Sequence, residues 1–560
     1  MTSDKKPVQD FIALCEASGL ENVVITPGSR NAPFSISFWN RPSFKTYSIV
    51  DERSAAFFAL GLAQQTRTPV LLICTSGTAA LNFAPAIAEA LYQHVPLIVV
   101  SADRPMEWID HGEGQSIRQS GVYRNIVKFG CDIVQEATDA DLARHNVRLI
   151  SKAIEVSRQP NPGPVHINFP LKESLYGTAE PHELPTPIST IETEQRLSER
   201  SSSELGKKLE SAKKIMVLAG QLSPDAALQT SLEAFASCDR VVVLTETHSN
   251  LHSTRFIGTI DRLINGLSEA DRMSLSPDVL ITLGENIISR KIKALLRKGS
   301  CEHWHLDLSG NHLDTFGHLR STIPVLASTF FSEMKPYVNA GEDFSYQKKW
   351  TARNETNRNH GLQFIQSAPY SDLTVFHSIV HRLPAQSELQ MGNSSVVRYL
   401  QLFDASPSIT YRGNRGVSGI DGCTSTAVGA AYASKKVTTL ITGELAFFYD
   451  SNAFWNQYVS SQLKVIVINN GGGGIFRIIE GPMETDAFEP LFEATHDRDA
   501  EGLAFMYHLP YLRASNAEEV EKGLSWLYQT KECAILEIMT PRKDNDQILK
   551  EYFRFIEKNQ

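Results

Sequence analysis

The sequence predicts an α/β protein with three parallel-sheet α/β domains, and three observations support this fold class. The length of 560 residues exceeds what one hydrophobic core usually organises. Short β-branched runs alternate with helical patterns along most of the chain, which is typical of parallel α/β layers. Two irregular stretches interrupt this alternation. We therefore expect domains at residues 1–180, 205–335 and 365–560.

Apolar runs of strand length occur in each predicted domain. Continuous runs of this kind are typical of parallel strands that are buried on both faces. In chain order the runs are NVVITPG, VLLICTSG, LIVVSAD and VHINFP, then KIMVLAG, VVVLTET, VLITLG and HWHLDL, then VTTLITG, LKVIVINN and CAILEIM.

Helical periodicity fills the intervals between these runs. The clearest residues at helical spacing are Val147, Ile150 and Ile154, and Val520, Leu524 and Leu527. Ser515 and Glu518 precede the second set at the spacing of a capping box, which predicts where that helix starts.

The irregular stretches lie at residues 177–203 and about 339–371. The first is polar and proline-rich with no sustained apolar period, and this predicts a linker between the first and second domains. The second is predicted to be an irregular zone before the third domain.

The overall composition argues against two classes of partner. A net charge of -9 and a pI of about 6.0 disfavour nucleic acid and anionic membranes. The N-terminal segment lacks an apolar signal core, and no run approaches the ~20 apolar residues of a membrane span. The seven cysteines show no metal or redox spacing. We expect a cytoplasmic protein without a membrane span or a nucleic-acid partner.

Two glycine-rich turns in the third predicted domain form a candidate site for metal and phosphate. A strand ends at Gly443 with Glu444 directly after it, and another ends in Asn469, Asn470 and four glycines. The carboxyl ends of parallel strands share one sheet edge, where ligands bind. Carboxylate, amide and carbonyl oxygens suit Mg²⁺, and glycines let the backbone approach phosphate closely. The alternative interpretation is a pair of ordinary α/β turns with a surface acid.

Glu52 starts a predicted helix of small and apolar residues in the first domain. A glutamate at this position should be partly buried, and burial disfavours the charged form of a carboxyl unless it is hydrogen-bonded. Such a carboxyl could exchange a proton with a bound cofactor. The alternative is an acid that only interacts with the helix dipole.

Seven further segments resemble one family of thiamine-diphosphate enzymes. They are ITPGSRNAP (25–33), DER (51–53), TSGTA (75–79), SADRP (101–105), QSIRQ (115–119), GNSSVVR (392–398) and NRGVSGIDG (414–422). The resemblance is to the 2-succinyl-5-enolpyruvyl-6-hydroxy-3-cyclohexene-1-carboxylate (SEPHCHC) synthases of the menaquinone pathway. It covers the first and third domains, whereas the middle domain matches only in general character. One departure is Glu444, where the family has Asp.

The resemblance assigns roles to individual residues. It implies that Glu52 is the catalytic acid, which contacts ring nitrogen N1′ of the cofactor. Cofactor-binding residues would be Thr78, Ser394, Ile420, Gly443, Glu444, Leu445, Asn470, Ile475 and Phe476. The metal ligands would be Glu444, Asn470 and Gly472. Substrate-binding residues would be Ser29, Arg30, Arg104, Gln115, Arg290, Arg398 and Arg415, with Lys291 as an alternative to Arg290.

The resemblance also implies a reaction and an assembly. With thiamine diphosphate and Mg²⁺ or Mn²⁺, the enzyme would decarboxylate 2-oxoglutarate and add the succinic semialdehyde unit to isochorismate, releasing CO₂. A homodimer or homotetramer is implied, because the glutamate and the diphosphate site come from different subunits in such families. The alternatives are another thiamine-diphosphate 2-oxoacid decarboxylase or carboligase, and a non-catalytic member of the fold. The arginines favour substrates with two carboxylates, since a guanidinium can grip a carboxylate with two hydrogen bonds.

Overall fold

The computed structural model describes residues 1–137, 139–158, 160–181, 185–191, 193–338, 345–479 and 481–559. Within these residues the chain forms three six-stranded sheets and one two-stranded pair. All strand pairings in the three sheets are parallel. The predicted α/β class with parallel sheets is therefore confirmed.

The first sheet has the strand order β3-β2-β4-β5-β7-β6, and β1 pairs with β8 in an antiparallel pair. The strands are β1 (Thr2–Ser3), β2 (Asn22–Ile25), β3 (Lys45–Ser48), β4 (Val70–Cys74), β5 (Leu97–Asp103), β6 (Phe129–Asp132), β7 (Val165–Pro170) and β8 (Thr178–Ala179). The helices are α1 (Lys6–Ala17), α2 (Ala32–Trp39), α3 (Glu52–Thr66), α4 (Thr78–Asn82), α5 (Ala84–Gln93) and α6 (Ala140–Arg158).

The second sheet has the order β11-β10-β9-β12-β13-β14. Its strands are β9 (Ile215–Ala219), β10 (Val241–Thr245), β11 (Phe256–Ile257), β12 (Val279–Leu283), β13 (Glu302–Leu306) and β14 (Leu319–Ile323). The helices are α7 (Glu199–Ser211), α8 (Ala226–Phe235), α9 (Ile260–Leu263), α10 (Glu269–Leu275), α11 (Arg290–Lys298) and α12 (Ala327–Met334).

The third sheet has the order β16-β15-β17-β18-β20-β19. Its strands are β15 (Glu388–Met391), β16 (Thr410–Gly413), β17 (Thr438–Gly443), β18 (Leu463–Asn469), β19 (Tyr511–Ala514) and β20 (Ala534–Met539). The helices are α13 (Tyr346–Ser367), α14 (Asp372–Arg382), α15 (Ser395–Leu400), α16 (Cys423–Ser434), α17 (Glu444–Tyr449), α18 (Ile475–Ile478), α19 (Glu501–Met506), α20 (Ala517–Gln529) and α21 (Asn545–Lys558). Single turns lie at Met106–Trp108, Thr247–Ser249, Lys335–Val338, Ser451–Phe454, Pro482–Glu484 and Phe488–Glu493.

All eleven apolar runs contain strands, and both periodic sets lie on helices, α6 and α20. The predicted capping box is wrong by one residue. Asn516 caps α20, because its side chain accepts the Glu519 N–H at 3.0 Å, and the Glu519 carboxylate accepts the Ser515 N–H at 2.7 Å. Asparagine is as good an N-cap as serine, so spacing alone did not fix the register.

Both predicted irregular stretches contain helix. The first overlaps α7, which begins at Glu199 with Ser198 as its cap, and the second contains the 22-residue helix α13. The sequence did not predict these two helices because their composition is polar, and it is polar because only a narrow face of each helix is buried. Residues 182–184, 192 and 339–344 of the two stretches lie outside the described residues.

Helices α3 and α16 bring the first and third sheets into one hydrophobic cluster. Ala55 and Phe58 belong to this cluster together with Val428. The two helices cross with glycines in contact, since a Cβ on Gly61 or Gly429 would lie 2.1 Å from a backbone oxygen of the other helix. This contact fixes the start of α3, where Glu52 lies, against the third sheet.

Candidate active site

The carboxyl ends of four neighbouring strands in the first sheet carry most of the site residues predicted there. β3, β2, β4 and β5 are consecutive in the sheet and run parallel. The segments that follow them bring to this edge Glu52, then Ser29 and Arg30, then Thr78, then Arg104. This is the edge at which ligands of parallel sheets bind.

Arg30 is 3% exposed and is already engaged. One guanidinium nitrogen donates to the Leu171 carbonyl at 2.8 Å, and another lies 2.9 Å from the Glu173 carboxylate. Burial lowers the pKa of Arg30, and the charge of Arg104 lowers it further. Because Glu173 is half exposed, a substrate carboxylate could replace it as the partner of Arg30.

Arg104 and Gln115 lie in the same segment of the chain, between β5 and β6. The Arg104 guanidinium donates to the Gly114 carbonyl at 2.9 Å, which brings the Gln115 backbone against Gly77. Gln115 has a φ of 54° and an exposed side chain, and Thr78 at the start of α4 is also exposed. The predicted pocket residues Ser29, Thr78 and Gln115 therefore lie at the surface of a single chain.

Glu52 is the first residue of α3 and is half-buried, as predicted. The helix is capped by Asp51, which accepts the Ser54 N–H at 3.0 Å and a hydrogen bond from Asn452 at 2.7 Å. The Arg53 guanidinium donates to the Tyr449 carbonyl at 2.8 Å. The start of α3 thus contacts Tyr449, the last residue of α17.

The two glycine-rich turns of the third sheet meet as predicted. β17 and β18 are neighbours, and their carboxyl ends bring Glu444 beside the glycine turn. Glu444 is 3% exposed, and its carboxylate accepts the Gly472 N–H at 2.7 Å and lies 3.5 Å from the His496 ring. Asn470 Oδ1 is buried and has no hydrogen-bond partner.

These residues fit a hard divalent cation. An unpartnered amide oxygen, a buried carboxylate and glycine carbonyls are the ligand types that Mg²⁺ takes, together with further oxygens from phosphate. Among the described residues no group of three His, Cys, Asp or Glu side chains could hold a metal. A metal site at this turn would therefore need the amide and carbonyl oxygens of Asn470 and Gly472 besides the Glu444 carboxylate.

Sequence reasoning missed two side chains at this turn, Asp372 and His496. Burial raises the pKa of Asp372 to about 6, the charge of Glu444 adds to this, and the Asn470 side chain acts in the opposite direction. His496 donates its backbone N–H to the Gly471 carbonyl at 3.1 Å. Both residues lie far from the glycines in sequence, and no motif marks them.

The apolar residues predicted to contact the cofactor flank the same turn. Leu445 is the second residue of α17, and Ile475 and Phe476 begin α18, all three half-buried. The Phe476 ring packs edge-on against Phe492 with centroids 6.0 Å apart. Short helices and glycines thus surround the candidate diphosphate site.

A second group of arginines lies between the second and third sheets. Arg415 follows β16 and is 7% exposed, and its guanidinium donates to Asn393 Oδ1 at 2.7 Å. Burial lowers the pKa of Arg398, and the charge of Arg290 lowers it further. Burial lowers the pKa of Arg415 as well, and Arg398 adds to this effect. Three predicted substrate arginines therefore lie close enough to repel one another, which favours an anionic ligand.

Arg290 and Lys291, the two predicted alternatives, differ in their contacts. Lys291 donates to Asn265 at 3.0 Å and lies 3.6 Å from the centre of the Phe553 ring, so it is occupied elsewhere. Sequence reasoning missed Lys293, whose pKa is lowered by burial and which interacts with Glu246, Arg415 and Arg398. Its spacing of three residues from Arg290 on α11 was the available signal.

Glu246 is the buried acid of this cluster. Its carboxylate accepts the N–H groups of Ile288 and Ser289 at 2.6 and 2.8 Å, and burial raises its pKa to about 7. Ser394 and Ile420 flank the cluster. Ser394 caps α15 with a φ of 69°, and Ile420 is 37% exposed, high for a large apolar side chain beside a polar cleft.

The predicted residues form two groups in a single chain. One lies at the first-sheet edge, and the other lies at the third-sheet edge with Arg290. Among the described residues, no hydrogen bond or ion pair joins Glu52, Arg30 or Arg104 to Glu444 or Arg415.

Comparison with known proteins places this geometry in context. Residues 6–122 match the family described as "Thiamine pyrophosphate enzyme, N-terminal TPP binding domain". The chain is 43% identical to the 2-succinyl-5-enolpyruvyl-6-hydroxy-3-cyclohexene-1-carboxylate synthase of Flavobacterium psychrophilum, over 98% of each chain. Proteins of the same name from Christiangramia forsetii and Porphyromonas gingivalis are 41% and 39% identical, over 99% of this chain and 100% and 98% of theirs.

Proposed function

The chain belongs to the SEPHCHC synthase family, and from this membership we propose that it decarboxylates 2-oxoglutarate and joins the four-carbon remainder to isochorismate in menaquinone biosynthesis. One structural observation supports the part of this proposal that concerns the substrates. Arg290, Arg398 and Arg415 lie close enough to interact by charge, and Arg398 and Arg415 follow β15 and β16 at the edge of the third sheet where Glu444 and Asn470 also lie. This edge could therefore hold a dicarboxylate next to a cofactor diphosphate.

Thiamine diphosphate is the cofactor of this enzyme family, and when bound it supplies the carbanion-stabilising chemistry of the reaction. We propose that Gly443, Glu444, Leu445 and Asn470 bind its diphosphate through a divalent cation, Mg²⁺ or Mn²⁺. The orphaned Asn470 Oδ1 and the buried Glu444 carboxylate support this assignment. Glutamate has one methylene more than aspartate, and the glycines beside it can absorb the difference of about 1.5 Å.

Glu52 is proposed as the residue that holds the catalytic proton. Its half-buried carboxyl at the start of α3 would share a proton with ring nitrogen N1′ of the cofactor. The cap Asp51 and the contacts of Arg53 hold the helix start in place, so the Glu52 carboxyl is oriented in advance.

The arginines are proposed to orient both acids. Isochorismate and 2-oxoglutarate each carry two carboxylates, and guanidinium groups can bind these with paired hydrogen bonds. Arg30 and Arg104 would approach from the first sheet, and Arg290, Arg398 and Arg415 from near the edge of the third sheet. Burial of Arg30 and Arg415 strengthens such contacts, since the charges are poorly screened there.

We propose that the three sheets mark three domains and that the active enzyme is a homodimer or a dimer of dimers. Supporting this, no hydrogen bond or ion pair among the described residues joins Glu52 to Glu444, and in the enzyme families that this chain resembles the glutamate and the diphosphate site come from different subunits. Pairing two chains would bring Glu52 of one to Glu444 of the other. Ile420, exposed in one chain, would then be covered.

Two further observations bear on location. Among the described residues, none of the helices has the length and apolar character needed to cross a bilayer. All seven cysteines are described and none is paired. We propose a cytoplasmic enzyme, because unpaired thiols suit a reducing compartment.

The test is CO₂ release from 2-oxoglutarate by the purified enzyme with thiamine diphosphate and Mg²⁺, with and without isochorismate. We expect product formation only with both acids present. Pyruvate in place of 2-oxoglutarate should not react. Arg398→Ala should lower the apparent affinity for one of the two dicarboxylates by about ten- to a hundredfold. Equal turnover of pyruvate would favour a different 2-oxoacid carboligase.

A further inference from the structure

The turn segment 414–422 is fastened to the first sheet by one buried glutamate. Glu89 lies on α5 and is 2% exposed. Its two carboxylate oxygens accept three successive backbone N–H groups, from Gly416 at 2.6 Å, Val417 at 2.8 Å and Ser418 at 3.2 Å. Hydrogen bonds to a charged acceptor are stronger than neutral ones, so this contact is a firm link between two sheets.

The local geometry admits few alternatives. A Cβ on Gly416 would lie 2.7 Å from the Glu89 carbonyl oxygen and 3.0 Å from Tyr92 Cβ, so only glycine allows this approach. Ser418 adopts a φ of 68°, which turns the segment sharply. Gln93 donates a further hydrogen bond to the Glu89 carboxylate. The carboxylate is therefore held in one position before it meets the turn.

Both flanks of the turn are held as well. Asn393 donates to the carbonyls of Asn414 and Gly419 at 2.7 and 2.6 Å, and accepts from the Arg415 guanidinium. From the second sheet, Asn286 donates to the Arg415 carbonyl at 2.9 Å. The turn is thus fixed from all three sheets, and Glu89 is the only contributor of these that bears a charge.

We propose that Glu89 is a positioning residue for the reaction. By fixing the N–H groups of residues 416–418, its carboxylate sets the positions of Arg415 on one side of the turn and Ile420 on the other. The inference rests on the proposed function, because that function assigns Arg415 to substrate and Ile420 to cofactor. Glu89 touches neither and acts through the turn.

The variant to test is Glu89→Gln. It keeps the size of the side chain but replaces one oxygen with an NH₂ group, which faces backbone donors instead of accepting from them. The matched control is Glu388→Gln. Glu388 is also buried and also joins the first and third sheets, through Gln65, but it starts β15 and so lies at the sheet edge opposite the site.

Three measurements are made on the holoenzyme of each variant. Hydrogen exchange of the peptide 413–422 reports how strongly the backbone of the turn is protected. Calorimetric titration gives the dissociation constant of 2-oxoglutarate, and steady-state kinetics give KM and kcat separately. For Glu89→Gln we expect exchange to accelerate, the dissociation constant and KM to rise about tenfold, and kcat to fall less than about threefold. Glu388→Gln should match the wild type in the dissociation constant and in the kinetics; its exchange is left out of the comparison, because Glu388 also lies 3.9 Å from Arg412, which directly precedes the peptide.

Unchanged exchange or unchanged 2-oxoglutarate affinity in folded Glu89→Gln would overturn the inference, and so would the same loss in Glu388→Gln. If Glu89→Gln does not fold, Glu89→Asp keeps the charge but is shorter by one methylene, so both exchange and KM should rise, each less than expected for Glu89→Gln; wild-type values would overturn the inference. A wild-type enzyme that binds 2-oxoglutarate but releases no CO₂ with isochorismate would refute the proposed function alone, since exchange and affinity still test Glu89.

Discussion

Replacing Gly429 by alanine tests how closely α3 and α16 must approach. The added Cβ would lie 2.1 Å from the Phe58 carbonyl oxygen, whereas real Cβ atoms essentially never come within 3.0 Å of such an atom. The obstacle is backbone, so no side chain can rotate away. The two helices must therefore separate by roughly 1 Å, and dispersion contacts along their interface weaken.

The magnitude follows from two opposing terms. Overpacking at a rigid contact lowers the free energy of unfolding by ~3 kcal/mol, and replacing glycine by alanine within a helix raises it by ~1 kcal/mol. We expect a net loss of about 2 kcal/mol in the free energy of unfolding. Since α3 begins at Glu52, the same displacement should lower kcat, and a 1 Å error at a catalytic group can cost about a hundredfold.

The assay is urea unfolding followed by circular dichroism, together with CO₂ release. Gly502→Ala is the matched control, because Gly502 also lies in a helix and a Cβ there meets no heavy atom within 4 Å. It should leave kcat unchanged and raise stability by up to ~1 kcal/mol. If Gly429→Ala is as stable and as active as Gly502→Ala, the helix contact does not limit the approach of the two sheets.

Three further predictions concern single side chains. Glu52→Gln should lower kcat by orders of magnitude while thiamine diphosphate still binds by fluorescence titration; near wild-type turnover would contradict its catalytic role. Glu444→Ala should weaken Mn²⁺ binding measured by electron paramagnetic resonance and Glu444→Asp should retain it, whereas equal binding in all three proteins would remove Glu444 from the ligand set. Burial lowers the pKa of His94, but the hydrogen bond and charge of Glu285, 2.9 Å away, outweigh this and raise it overall. The pair should therefore stabilise the fold fully below pH ~6.5 and lose this effect as the pH rises through the raised pKa of His94. His94→Gln should accordingly lower the urea midpoint of unfolding more at pH 6 than at pH 9. An equal decrease at both pH values would refute the assignment.

The buried strands were predictable because their sequences are continuously apolar. Runs such as LIVVSAD and LKVIVIN are buried throughout and lie in the middle of their sheets. Edge strands were missed, and β3 (KTYS) and β14 (LRSTI) show why. An edge strand pairs on one side only, so polar residues are tolerated and the apolar signal disappears.

The candidate site divides in the same way. Residues in glycine-rich turns after strands, such as Glu444 and Asn470, were predictable because the turn marks the sheet edge. Glu89 and Glu246 were not, since each lies among ordinary helical or strand residues and acquires its partners from another sheet. Contacts between sheets depend on how the sheets pack, and no local pattern encodes that.

Helix α13 is a rod about 33 Å long, from its 22 residues. Trp350 near its start is embedded in the core of the second sheet, and Ile365 near its end belongs to the core of the third. Because the two ends of α13 are packed in these two cores, we expect the second and third sheets to move together rather than to rotate against each other near Arg290 and Arg398. We expect a substrate to enter through rearrangement of side chains and turns near these arginines.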